Sequence, residues 1–121
     1  MKDPATRTAE ILDLPIVTYL RPGPAGNDSM WIARSVTTGH VAHGRTEASA
    51  LEGLRMGIHG LLTLAHEEGV SPWAWRAAQT PDPRYRGAFE DAERRGRLER
   101  LPGEAGPGGC FIQPRKALCE A

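Results

Sequence analysis

The stretch "TGHVAHGRTEASALEGL", Thr38 to Leu54, decides the reading of this chain, because it sets His40, His43, Gly39 and Gly44 directly ahead of an amphipathic segment. The spacing predicts a helix from Glu47 to Glu68. Ala50, Leu51, Leu54, Ile58, Leu61, Leu62 and Ala65 fall on one stripe at three-and-four intervals. Thr46 is placed to cap its N-terminus, and Glu47 favours the positive end of the helix dipole. Gly69 stands where a left-handed terminating residue is expected, and Ser71-Pro72 prevents continuation.

The residues ahead of that helix allow three readings: a metal site, a phosphate-cradling turn, or a corner between strand and helix. On a strand, His40 and His43 point to opposite faces, with no Cys, Asp or Glu between them to complete a metal shell. His59 and His66 lie on the polar side of the helix with a rise of roughly 10 Å between them, too far for one ion to bridge. "GHVAHGRT" also lacks the Gly-Lys-Ser/Thr ending of a P-loop and the Gly-x-Gly-x-x-Gly of a dinucleotide site. The corner reading stands, with Gly39 and Gly44 as turn residues and no metal or cofactor expected.

Outward from the corner, "LPIVTYL" (Leu14 to Leu20) and "MWIARSV" (Met30 to Val36) read as strands. The Pro/Gly-rich loop Arg21 to Ser29 joins them, and a short third strand fits around Val41. Residues 1–13 read as an arm. Beyond the helix, "SPWAWRAAQ" reads as a short strand or extended edge. A charged second helix is expected from about Tyr85 or Gly87 to Leu101, burying Phe89, Ala92 and Leu98. "PGEAGPGG" is a flexible break, and the tail after it docks through Phe111 and Ile112. The expected architecture is α+β: an antiparallel sheet of three or four strands with one long helix packed on it (residues 14–80), a charged helix (81–101) and a flexible tail (102–121).

With 121 residues the chain has room for one core. Fifteen acidic and fifteen basic residues balance, which gives no reason to expect a general nucleic-acid binder. No apolar run reaches the roughly 18 residues of a membrane helix, and the N-terminus lacks the pattern of a secretory signal, so a cytoplasmic protein is expected. Cys110 and Cys119 are then most simply reduced thiols. The expected strands carry no acid, and Ser35, Ser49 and Ser71 lack the setting of a nucleophile, so no enzyme is expected.

Two features look purposeful. Gly53, Gly57 and Gly60 share one flank of the helix stripe, although each glycine costs a helix interior roughly 1 kcal/mol relative to alanine. They suggest a backbone passing close by, from the chain's own sheet or from a second subunit. Trp73 and Trp75, at strand spacing, would share a face and suit either a core or an interface. A nucleic-acid reading would use Arg84, Arg86, Arg94, Arg95, Arg97 and Arg100, although five acids are interleaved between Arg76 and Arg100.

The order strand, strand, short strand, capped helix resembles the HicB-like antitoxin family over roughly residues 14–76. The residues that carry the resemblance are Trp31 and Ala33, Gly39, Gly44-Arg45-Thr46, Ala48, Ala50-Leu51, then Glu67-Glu68-Gly69-Val70 and Pro72. The resemblance implies a partial ribonuclease-H-like fold without nuclease carboxylates. It also implies self-association and binding to a small basic mRNA-cleaving toxin. Many members carry a C-terminal DNA-binding segment; here one charged helix and a glycine-rich tail stand in its place. The alternatives are a nucleic-acid-binding regulator using the arginine-rich helix and an orphan homo-oligomeric scaffold.

Overall fold

The computed structural model describes residues 10–23 and 29–119. The chain forms β1 (Glu10–Arg21), β2 (Met30–Ser35), β3 (Val41–Gly44), α1 (Glu47–Glu67), α2 (Pro72–Ala77), α3 (Pro83–Arg94), β4 (Leu98–Arg100), β5 (Glu104–Ala105) and β6 (Cys110–Leu118). A 3-10 turn at Pro107–Gly109 leads into β6. The strands make one six-stranded sheet in the order β3-β2-β1-β6-β4, with β5 also pairing β6. β1 and β6 run parallel, with Leu12 opposite Ile112 and Ile16 opposite Lys116; every other pair is antiparallel. A parallel neighbour cannot follow by a hairpin, so α1 and the elements after it return the chain to the side of β1.

The sheet is covered on both faces. Leu12, Leu14 and Ile16 of β1 pack with Ala33, Ile112 and the α1 stripe Ala50, Leu54, Ile58 and Leu62. The intervening Val17 packs with Val36, Ala117 and the α3 residues Phe89 and Ala92. Strand alternation thus sends adjacent β1 residues into two separate cores.

The sequence reading of α1 agrees with the structure. Thr46 caps it, accepting a hydrogen bond from the Ser49 amide at 3.0 Å, and the Ser49 hydroxyl answers the Thr46 amide. Gly69 (φ +80°) follows its C-terminus and Gly39 (φ +77°) makes the β2–β3 turn, each in the left-handed region. Gly44 acts differently from the expected turn residue. Its φ is not positive; a Cβ there would collide with the Ser49 hydroxyl and stand 2.8 Å from the Ala50 amide. Its role is to let β3 run tight against the helix start.

Five expectations are corrected. The sheet is mixed and six-stranded, larger than the antiparallel three or four strands expected. Residues 10–13, read as arm, begin β1, and the expected flexible tail contains β6, an interior strand. "PWAWRA" is helical: Ser71 caps α2 and Pro72 sits at its first turn, where proline's missing amide costs nothing. The charged helix starts at Pro83, capped by Asp82, and ends at Arg94, because Gly96 turns left-handed (φ +67°) and Leu98 passes into β4. Among the described residues no helix is long and apolar enough to cross a membrane.

Candidate functional site

The glycine flank of α1 faces outward. Gly53 is the one glycine of the three with a neighbour: a Cβ there would lie 3.5 Å from the Ala42 Cβ on β3. A Cβ added at Gly57 or Gly60 would meet nothing within 4 Å beyond the helix's own backbone. Met56 (60% exposed) and Leu64 (59%) lie at helical spacing among them, so Gly53, Met56, Gly57, Gly60 and Leu64 form one continuous exposed strip. At its ends stand the exposed charges Arg45, Glu67 and Glu68, which enter no ion pair among the described residues. The strip's spacing is legible in the chain; that the sheet leaves Gly57 and Gly60 uncovered is seen only in the fold.

Trp73 and Trp75 turn inward instead. On α2 they do not share a strand face; both are half-buried against the core beneath α1. The Trp75 ring stacks on His40 (centroids 5.9 Å apart, planes at 18°), and the Arg76 guanidinium lies 5.9 Å from the centre of Trp73. The pair ties α2 and the β2–β3 turn to the body of the domain.

The arginines of the nucleic-acid reading are dispersed, and three of the six are paired. Arg94 and Arg95 both reach Asp91, at 3.4 and 3.2 Å, and Arg84 is bound to Asp82 at 3.1 Å. Arg86, Arg97 and Arg100 make no ion pair among the described residues and are exposed. The four histidines join no cluster of three metal-ligating side chains among the described residues.

Two charge clusters escaped the sequence reading. On the α1 face, Lys116 of β6 pairs with Glu47 and, at 3.3 Å, with Glu99, while the Thr18 hydroxyl donates to Glu47 at 2.7 Å. Burial pushes the Glu47 carboxyl up, but the bonds from Lys116 and Thr18 outweigh it and hold the group below its ordinary range. Burial pushes the Lys116 ammonium down, and Glu47 and Glu99 more than reverse that. Each partner fixes the other in its charged form. On the α3 face, Arg115 makes a bidentate pair with Asp13 at 2.8 and 3.0 Å and a third bond to Glu93 at 3.0 Å.

A third cluster lies where α3 meets the far end of β1. The rings of Tyr19 and Tyr85 stack with centroids 6.1 Å apart and planes at 9°. The guanidinium carbons of Arg34 and Arg84 lie 4.4 and 5.3 Å from the centre of Tyr85.

No protein-family model, curated protein or solved structure matches this chain.

Proposed function

We propose that this chain is a non-enzymatic, HicB-like protein that acts by binding protein, and that the exposed strip of α1 is its contact surface, engaging a second copy of the chain. The observation that carries the proposal is an apolar strip with open glycines on an otherwise well-formed helix. Glycines in a helix interior are destabilising, and at Gly57 and Gly60 nothing in the chain itself makes use of the space they leave. A partner helix would.

The strip is self-complementary. A two-fold axis between Gly57 and Gly60 sets these residues against each other and lays Leu64 of one copy over Gly53 of the other. It also brings the acidic end of one α1, Glu67 and Glu68, to the N-terminus of the other, beside Arg45. Opposed helix dipoles and opposite charges then favour the same antiparallel register.

Support for the HicB-like reading comes from chain order. β1, β2 and β3 form an antiparallel meander and α1 packs across one face of it, in keeping with what the resemblance implies. In that family the antitoxin role, binding a small basic toxin, belongs to such domains, and we extend it to this chain as part of the proposal.

Charge exchange tests the register. R45E alone and E67K/E68K alone should each weaken self-association, and an equimolar mixture of the two should recover it as a mixed pair, read by light scattering. Failure of the mixture to recover would remove the antiparallel pairing.

A further inference from the structure

The cluster at Tyr19, Arg34 and Tyr85 carries a charge without a counter-ion. Arg34 sits on β2, half-buried, opposite Val17 of β1 and Val41 of β3, so its cross-strand neighbours are apolar. Its Nε is buried without a hydrogen-bond partner, and its one hydrogen bond, Nη2 to the Tyr19 hydroxyl, is long at 3.5 Å. Among the described residues it pairs with no carboxylate. The nearby acid, Asp82, is occupied: it caps α3 through the Arg84 amide and binds the Arg84 guanidinium. A guanidinium withdrawn from water is ordinarily paired, because the desolvation it suffers is otherwise uncompensated.

The groups around it form a column of flat surfaces. Tyr19 and Tyr85 are close to parallel, and the guanidinium carbons of Arg34 and Arg84 lie within 4.4 and 5.3 Å of the centre of Tyr85. The Arg84 side chain is 80% exposed, and its surface pair with Asp82 is a weak one that a phosphate can replace. Exposed Arg21, at the end of β1, adds its positive charge to the field at Tyr19.

We infer that this cluster is a binding site for single-stranded nucleic acid, with a base stacking on the tyrosine pair and phosphates bound by Arg34, Arg84 and Arg21. Parallel aromatic rings flanked by arginines are what an unpaired base and its backbone require, and a duplex offers no free base face to such a platform. The site differs from the arginine row read in the sequence: it takes Arg84 from that row and gains Tyr19, Tyr85, Arg21 and Arg34 from elsewhere. It lies across the sheet from α1 and is independent of the α1 contact surface.

Fluorescence anisotropy of the full chain with a labelled single strand of about ten nucleotides tests it. Three phosphate contacts predict a slope of log affinity against log salt near −2, at about −0.7 per contact. R84Q, at an exposed position, should bind several-fold more weakly with a slope shallower by about 0.7, and Y85A should lose about tenfold or more. R94Q/R95Q, at the far end of the same helix and roughly 14 Å along it from Tyr85, should bind like the wild type. Circular dichroism confirms the folding of each variant, and R84Q decides the matter if Y85A unfolds. No binding at about 50 mM salt, an equal loss in R94Q/R95Q, or equal affinity for a tyrosine-phosphorylated peptide would each overturn the inference.

Discussion

Replacing Gly57 and Gly60 together by alanine should make the isolated chain more stable and its self-association weaker, and these opposite signs separate the two roles of the α1 strip. Neither glycine has a positive φ, and an added Cβ at either would meet nothing within 4 Å. The folded chain therefore accepts both methyl groups without strain, while helix propensity favours alanine by about 1 kcal/mol per site. The sum, about 2 kcal/mol, should raise the urea midpoint by about 1 M at an ordinary m-value and the melting temperature by roughly 6–10 °C. In the antiparallel pair the same methyl groups fall at the closest approach of the two backbones and hold them apart. Urea unfolding across a range of protein concentrations reads both effects. In dilute solution the variant should be the more stable. As concentration rises the wild type should gain stability by mass action and close the gap, while the variant gains little. A variant less stable than wild type in dilute solution would refute the claim that the glycines face open space. Equal concentration dependence in both proteins would refute the claim that they form the contact.

Two other outcomes follow from the packing. Glu47 is held below its ordinary 4.5, so its contribution is present above about pH 4.5 and is lost as pH falls through the lower folded value; E47Q should lose about 2 kcal/mol at neutral pH and show a flatter acid limb in pH-dependent unfolding. Lys116 is raised, so the same pair's contribution holds below pH 10.5 and fades as pH rises past it. W73A/W75A should act mainly on folding, costing about 2 kcal/mol per half-buried ring in thermal unfolding, because both rings pack on the domain's own core; an unchanged melting temperature with weakened assembly would restore the tryptophans as an interface.

The parts of the fold legible in the sequence are those whose signals are local. α1 announces itself by period and by Thr46, and both act within a few residues of the chain. β6 does not. Its Gln113, Pro114, Arg115 and Lys116 read as a polar tail, and they become interior only through partners far away in sequence. Arg115 is neutralised by Asp13, 102 positions earlier, and Lys116 by Glu47, 69 positions earlier. Gln113 is satisfied by the Leu101 and Pro114 carbonyls. α2 was hidden for a different reason: Ser71-Pro72 marks a helix start as well as a helix stop, and the alternation of Trp73 and Trp75 mimics a strand. The glycine strip was visible as a spacing, but whether a neighbour fills it depends on where β3 ends. The Tyr19, Arg34 and Tyr85 cluster had no signature at all, since its members come from three elements that meet only in the fold.

On the proposed reading, the α1 strip is a contact surface between copies of this chain. Sedimentation velocity of the wild type and of M56E/L64E, over a range of concentrations, tests it most directly. Both side chains are about three-fifths exposed, so the substitutions leave the core intact. A concentration-dependent dimer is expected for the wild type and a folded monomer for the variant throughout. A wild type that stays monomeric at every concentration, or a variant that dimerises as well as the wild type, would contradict it.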